Sequence, residues 1–226
     1  MKDMKIYILG IFIVLFSLPY LSQTYDYVEK KVDPNRQLFD VYGNSVDIEG
    51  GFAVVGVILD DEDALEQNYI DSAGSVTVFQ KNNSGVWVFY QKLVAPDRVQ
   101  GALFGTAVKI NEGQIIVSAA EDHTDLLGNN YIYRTGSVYV YELVGTVWTF
   151  TQKIIASDRG HVKSYFGWSL DVDGSYMLVG AKGDSLEEDG VTLTTDGGSA
   201  YFYEKAPSGT WSFVQKVVNS DRNSRD

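Results

Sequence analysis

The sequence contains no cysteine. Disulfide staples, thiolate chemistry and anchoring through a lipidated cysteine are therefore excluded. Proline is scarce, 4 residues against 22 glycines, which fits a chain that turns often and tightly. Histidine occurs twice, as His123 and His161, and the two lack the spacing of a metal-ligating pair. No Gly-x-Ser-x-Gly elbow and no phosphate-binding glycine loop is present. Paired carboxylates of the glycosidase kind are to be had by chance in so acidic a chain. No catalytic, cofactor-binding or metal-ligating residue is assigned, and the chain is expected not to be an enzyme. Basic residues number 18 against 30 acidic ones, a net charge of −12, and they form no cluster. That charge repels phosphate backbones and anionic bilayers, so neither nucleic acid nor a membrane surface is an expected partner. Beyond the first residues there is no apolar run long enough to span a bilayer and no segment of helical period.

What is present is apolar and aromatic. Of 226 residues, 45% are apolar and 13% aromatic, enough for a sizeable core. Lys2 and Lys5 precede an apolar run of 13 residues, Ile6 to Leu18, which Pro19 ends. This is the layout of a secretory signal peptide, with Ser22 as the small residue before cleavage and Tyr20 a poor match at the third position before it. The expectation is a signal over residues 1–22 and a secreted or cell-surface protein; an uncleaved anchor is the competing reading.

The remainder repeats. Tyr42-Gly43 recurs as Phe104-Gly105 and Phe166-Gly167, each 62 residues on. In the same register Gly74-Ser75-Val76 recurs as Gly136-Ser137-Val138 and Gly198-Ser199-Ala200. Ala53-Val54-Val55-Gly56-Val57 recurs as Ile115-Ile116-Val117-Ser118-Ala119 and Met177-Leu178-Val179-Gly180-Ala181. Trp87, Trp148 and Trp211 each precede a Gln-Lys pair, Gln91-Lys92, Gln152-Lys153 and Gln215-Lys216. Asp97-Arg98, Asp158-Arg159 and Asp221-Arg222 close the units. Each unit reads as four strands; in the first these are Ser45 to Ile48, Phe52 to Ile58, Gly74 to Gln80 and Trp87 to Val94. Turn residues such as Glu49-Gly50-Gly51 and Asn82-Asn83-Ser84-Gly85 separate them.

The third strand carries mostly small or aliphatic side chains on one face (Val76, Val78, Val138, Val140, Ala200, with Phe202) and mostly aromatic ones on the other (Phe79, Tyr139, Tyr141, Tyr201, Tyr203, with Thr77), because successive residues point to opposite sides. A sheet apolar on both faces must be covered on both. Radially stacked four-stranded blades meet that need, aromatic face on smaller face. A β-solenoid is the main competitor, but its rungs are much shorter than 62 residues. The fold class is thus all-β: three four-stranded antiparallel blades of 62 residues in an incomplete or open β-propeller. The expected boundaries are 42–103, 104–165 and 166–226.

These residues resemble the FG-GAP repeat of integrin α-type propellers and of bacterial secreted proteins. Phe104-Gly105, Phe166-Gly167 and Gly180-Ala181 match its two motifs. Tyr42-Gly43, Gly56-Val57 and Ser118-Ala119 are weaker copies, and the motif's proline is absent throughout. The resemblance implies adhesion or recognition. It often implies calcium between strands one and two as well, but here those links are Glu49-Gly50-Gly51, Asn111-Glu112-Gly113 and Asp173-Gly174-Ser175, too short to supply six to eight oxygens. Calcium is therefore not carried over.

The links between strands two and three, residues 59–73, 121–135 and 183–197, are long and acidic. They offer either a cation-dependent ligand face or a solvated rim. Arg98, Arg159 and Arg222 read as partners in ion pairs between blades, and Trp87, Trp148 and Trp211 as packing between blades. Trp168 breaks the repeat, standing where the other units have Asn44 and Thr106, and is the best candidate for an aromatic with another role. Asn82-Asn83-Ser84 matches a glycosylation acceptor. Residues 23–41 hold a lone fourth strand, Tyr27 to Arg36, aligned with Phe89 to Arg98. Three blades fall below the roughly four to eight of closed propellers, so either the chain is part of a longer FG-GAP protein or chains self-associate through open blade edges. The expected function is a secreted or cell-surface adhesion or binding module with a protein or glycan ligand. The alternatives are a carbohydrate-binding or glycan-processing propeller and a truncated fragment.

Overall fold

The computed structural model describes residues 30–32, 37–194 and 197–219. The expected signal segment, most of the expected lone strand, and Asp196, Asp221 and Arg222 lie outside them. Among the described residues every regular element is a strand. Blade 1 comprises β1 (Tyr42–Glu49), β2 (Phe52–Val57), β3 (Ser75–Lys81) and β4 (Trp87–Leu93). Blade 2 comprises β5 (Phe104–Asn111), β6 (Gln114–Ala119), β7 (Ser137–Val144) and β8 (Val147–Ile154). Blade 3 comprises β9 (Phe166–Asp173), β10 (Tyr176–Ala181), β11 (Ser199–Lys205) and β12 (Trp211–Val217). Each blade is an antiparallel meander with its strands in sequence order.

The blades stack as the side-chain alternation requires. Val54, Val76, Val78 and Leu93 of blade 1 pack against Val108, Ile110, Ile115, Val117, Tyr139 and Tyr141 of blade 2. Ile116, Val138, Val140 and Ile154, from the opposite face of blade 2, pack against Leu170, Met177, Val179, Tyr201 and Tyr203 of blade 3. Trp148 and Trp211 lie buried in these two layers. Each fully buried aliphatic side chain stabilises the stack by roughly 1.5–3 kcal/mol.

The aromatic-Gly pair is the joint between blades. Phe104 and Phe166 are fully buried, each edge-on to two tyrosines of its own blade: Tyr139 and Tyr141 at 5.5 and 6.2 Å, Tyr201 and Tyr203 at 5.2 and 6.2 Å. The Phe104 N–H donates to Ala73 O, and the Phe166 N–H to Thr135 O, both at 2.9 Å. These bonds tie the first strand of one blade to the long loop of the blade before. The backbones approach so closely that a Cβ on Gly74 would strike Phe104 O, and one on Gly136 would strike Phe166 O. Gly105, at φ +96°, has Ser75 O within 2.6 Å of where its Cβ would be. The residue ahead of each pair, Val41, Leu103 or Tyr165, is left-handed at φ +54°, +56° and +53°. Such a conformation costs a β-branched or bulky residue roughly 1–3 kcal/mol, and at Leu103 and Tyr165 it turns the chain so that the phenylalanine ring that follows enters the core.

Candidate ligand face

All three long loops, with the links that lead from each fourth strand to the next blade, lie at one end of the blades. Each loop is held by a buried lysine of its own blade's fourth strand. Lys92 pairs with Asp60 at 2.8 Å and Glu66 at 3.0 Å. Lys153 pairs with Asp122 at 2.8 Å and with Asp97, from the preceding blade's link, at 2.6 Å. Lys216 pairs with Asp184 and with Asp158 of the preceding link, both at 2.6 Å. The Tyr139 and Tyr201 hydroxyls each lie within hydrogen-bond distance of both carboxylates of their own site, at 2.8–3.1 Å. Burial pushes the Asp122 carboxyl up, but the Lys153 ammonium beside it outweighs burial and holds it below its ordinary range. Asp184 is lowered too: burial opposes, and Lys216 and Ser199 prevail. Burial and these carboxylates push the Tyr139 hydroxyl well above the usual phenol range.

The remaining loop acids mostly shape their own turns. Asp63 accepts from the backbone N–H of Leu65 and Gln67, and the Asn68 amide and these donors hold it at about 2. Asp125 accepts from Leu127 and Asn129, and Asp189 from Val191 and Thr192. Among the described residues no three His, Asp or Glu side chains converge as a metal site would require. The arginines differ from expectation. Arg98 donates to the carbonyls of Asp61 and Asn68, and Arg159 to those of His123 and Asn130. They brace the long loop of their own blade, while the adjacent Asp97 and Asp158 make the ion pairs between blades. A guanidinium's fork of donors suits several loop carbonyls at once, whereas a lysine is a point charge that a narrow carboxylate site can enclose.

Where the second long loop meets the link from blade 1 there is a cleft of about 380 Å³, lined by Val99, Gln100, Glu121, His123, Tyr131 and Tyr133 among others. His123 Nδ1 accepts the Arg134 N–H at 3.3 Å, which leaves Nε2 as donor to Gln100 O at 3.1 Å. Both ring nitrogens are thus engaged in a neutral tautomer, a poor arrangement for proton transfer. The imidazole is stacked on Tyr133 at 5.7 Å and tilted against Tyr131 at 4.7 Å. Arg134 lies over the Tyr133 ring at 4.8 Å, pairs with Glu121 at 3.0 Å and reaches the Tyr165 hydroxyl at 3.5 Å. Tyr165 meets Trp168 edge-on at 6.0 Å, and the Lys182 ammonium lies against both rings.

The result is a stripe from Tyr131 across Tyr133, Arg134 and Tyr165 to Trp168 and Lys182. Tyr131, Tyr133 and Trp168 are 65%, 39% and 42% exposed. Trp168, flagged by its break with the repeat, forms one end of the stripe. Its equivalents Asn44 and Thr106 instead bond to each other, Asn44 Nδ2 donating to Thr106 O at 2.9 Å. Sequence reasoning missed the other members. Tyr133-Arg134 stands where the first long loop has Asp71-Ser72, so the same test of broken repeat register finds them. His161, bonded through Nδ1 to Val162 O at 3.3 Å, takes no part.

The FG-GAP repeat family matches residues 87–141 and 148–203. Each matched unit runs from the fourth strand of one blade to the third of the next, across the joint formed by the aromatic-Gly pair. The chain is an FG-GAP repeat protein with propeller-type blades. Among solved structures, a hypothetical selenium-binding protein from Sulfolobus tokodaii is similar at 12% identity and a TM-score of 0.45, over 74% of this chain and 38% of that one. The chain therefore spans less than half the length of that protein. No curated protein matches it.

Proposed function

We propose that this protein is a secreted or cell-surface binding module, without catalytic activity, that holds a protein or glycan ligand on the stripe from Tyr131 to Lys182. The observation that carries the reading is the gathering of exposed aromatic rings with Arg134 and Lys182 on a chain whose net charge is −12. Flat, half-exposed rings present an apolar face, and the cations beside them attract polar or anionic groups. Glu121 beside them is paired with Arg134, the neighbouring aspartates are committed to lysines and turns, and His123 is engaged on both nitrogens, which supports a face that holds a ligand rather than transforms one.

The rings specifically favour a saccharide, whose apolar ring faces stack on Tyr and Trp. A glycan array probed with the full-length chain tests this, followed by titration of any hit. Tyr131→Ala and Trp168→Ala are each expected to weaken binding by about 3- to 10-fold, the range of a single aromatic contact. Unchanged binding by both variants overturns the assignment of the face. Failure to bind any glycan removes the saccharide reading and leaves a protein ligand, to be sought with the same variants.

A further inference from the structure

Because the blades share one framework, the side chains that the framework needs recur. A cluster of side chains found in one unit only needs another explanation. Three such positions meet at the entry to blade 3. Trp168 stands where the other units have Asn44 and Thr106, Lys182 where they have Ile58 and Ala120, and Lys163 where they have Phe39 and Gly101. The Lys182 ammonium lies over the Trp168 ring and 5.1 Å from the centre of the Tyr165 ring. The Lys163 N–H donates to Tyr133 O at 2.8 Å. A Cβ on Gly183, the residue after Lys182, would lie 2.2 Å from Lys163 O, so the backbones that carry the two lysines touch.

Neither lysine is spent inside the molecule. Lys92, Lys109, Lys153, Lys205 and Lys216 each pair with a carboxylate at 2.6–2.9 Å. Lys163 and Lys182 are exposed, and among the described residues no carboxylate lies within ion-pair distance of either. Carboxylates are in good supply, with 30 acidic residues to 18 basic, so two neighbouring ammonium groups left without one stand out. The stripe holds three cations, Arg134, Lys163 and Lys182, against one carboxylate, Glu121, which pairs with Arg134. It is a local positive patch on a molecule of net charge −12.

We infer that the ligand of the stripe is an acidic saccharide, its carboxylate or sulfate group held by Lys182 and Lys163 and its sugar ring by the aromatic side chains. This rests on the saccharide reading of the stripe and adds to it the charge of the ligand. The Trp168 ring holds the Lys182 ammonium by cation–π attraction. The cation is thus in place before a ligand arrives, and an anion meets it at little further cost in side-chain entropy. An ammonium is a compact point charge with three donors, and it donates to carboxylate and sulfate oxygens alike, so the two anions are alternatives for one site. A neutral glycan leaves both ammonium groups unmatched. An acidic peptide matches them but makes no use of the row of flat rings as a saccharide does.

An array that carries neutral glycans beside their uronate or sialylated forms and their sulfated forms, with poly-glutamate as a sugar-free anion, tests the inference on the full-length chain. The charged member of a set should bind roughly 10-fold or more tighter than the neutral one, the scale of a hydrogen bond to a charged group. That gap should shrink as salt is raised past about 0.1 M, where the Debye length is about 10 Å. The carboxylated and sulfated arms tell which anion is taken, and a preference for either supports the inference. Lys182→Gln with Lys163→Gln should abolish the preference, while Lys182→Arg with Lys163→Arg, which keep the charge, should preserve it. Both positions are exposed, and far-UV dichroism checks that each variant folds. Neutral glycans bound as tightly as their acidic forms overturn the inference and leave the saccharide reading standing. Poly-glutamate bound as tightly as the acidic glycans overturns it in favour of an acidic peptide. A charge preference that survives the paired glutamine variant overturns the assignment to these lysines. Failure to bind any member of the array removes the saccharide reading and this inference with it.

Discussion

Blade 2 and blade 3 are cut from the same 62-residue pattern, yet their second strands differ in environment. Every residue of β6 is buried, whereas β10 alternates between buried and exposed. The difference does not lie in the strands' own residues. Ile116 and Leu178 occupy the same register and are both large aliphatics, but Ile116 is wholly enclosed and Leu178 is not. A blade's pattern fixes which side chains share a face; whether a face becomes core depends on the neighbour laid against it.

The largest effect should come from the lysine clamps, which join a blade to the link before it. Lys153 lies with its side chain 5% exposed between Asp122 and Asp97, which are 1% and 24% exposed. Lys153→Met should strand two carboxylates and cost about 3–5 kcal/mol in denaturant unfolding. Lys92→Met should cost less, because its second partner, Glu66, is 30% exposed and can turn to water. The same clamps set an acid limit. Asp122 and Asp184 are held below their ordinary 3.8 in the folded chain. Their contribution is therefore complete above that value and is lost as pH falls below it through the folded-state value. Thermal melts should be flat on this account through neutral pH and fall steeply below pH 3.8, and Lys153→Met should flatten the acid limb.

The aromatic-Gly joints offer a second contrast. Gly105→Ala meets both a positive φ and the backbone of blade 1, so strain and overpacking together should cost about 3 kcal/mol or more. Gly43→Ala meets only the positive φ, since nothing lies within 4 Å of its added Cβ, and should cost roughly 1–2 kcal/mol. Equal costs at the two sites would mean that close approach between blades is not what the glycine serves.

The glutamines give the smallest contrast. Gln152→Ala removes two hydrogen bonds to Trp211 and should cost about 1–2 kcal/mol. Gln215→Ala removes neither and should change stability by less than about 0.5 kcal/mol. A larger loss at Gln215 would show that it already holds a strand of its own chain.

Much of this architecture was legible because it is periodic. The 62-residue recurrence located all three blades, and the alternation along β3, β7 and β11 separated aromatic from aliphatic faces before any packing was known. The repeated Gln-Lys pairs were visible as well, but not their roles, for nothing local says that the glutamine will grip a tryptophan nearly a full repeat further on or that the lysine will bind two aspartates. The arginines illustrate the same limit: Asp-Arg recurs as a unit, yet the aspartate reaches the next blade while the arginine braces the loop of its own.

The proposed ligand face was the least legible part. Trp168 announced itself by breaking register, while Tyr131, Tyr133, Arg134, Tyr165 and Lys182 lie in three separate stretches of chain with no motif in common. By itself, the sequence determined the repeat, the strands and the two faces of each blade, because strand alternation and turn residues act over a few neighbouring positions. Only the tertiary structure decided which lysine meets which aspartate, which faces stay open and which rings form one surface, because those contacts join residues tens of positions apart whose meeting depends on how blade packs on blade.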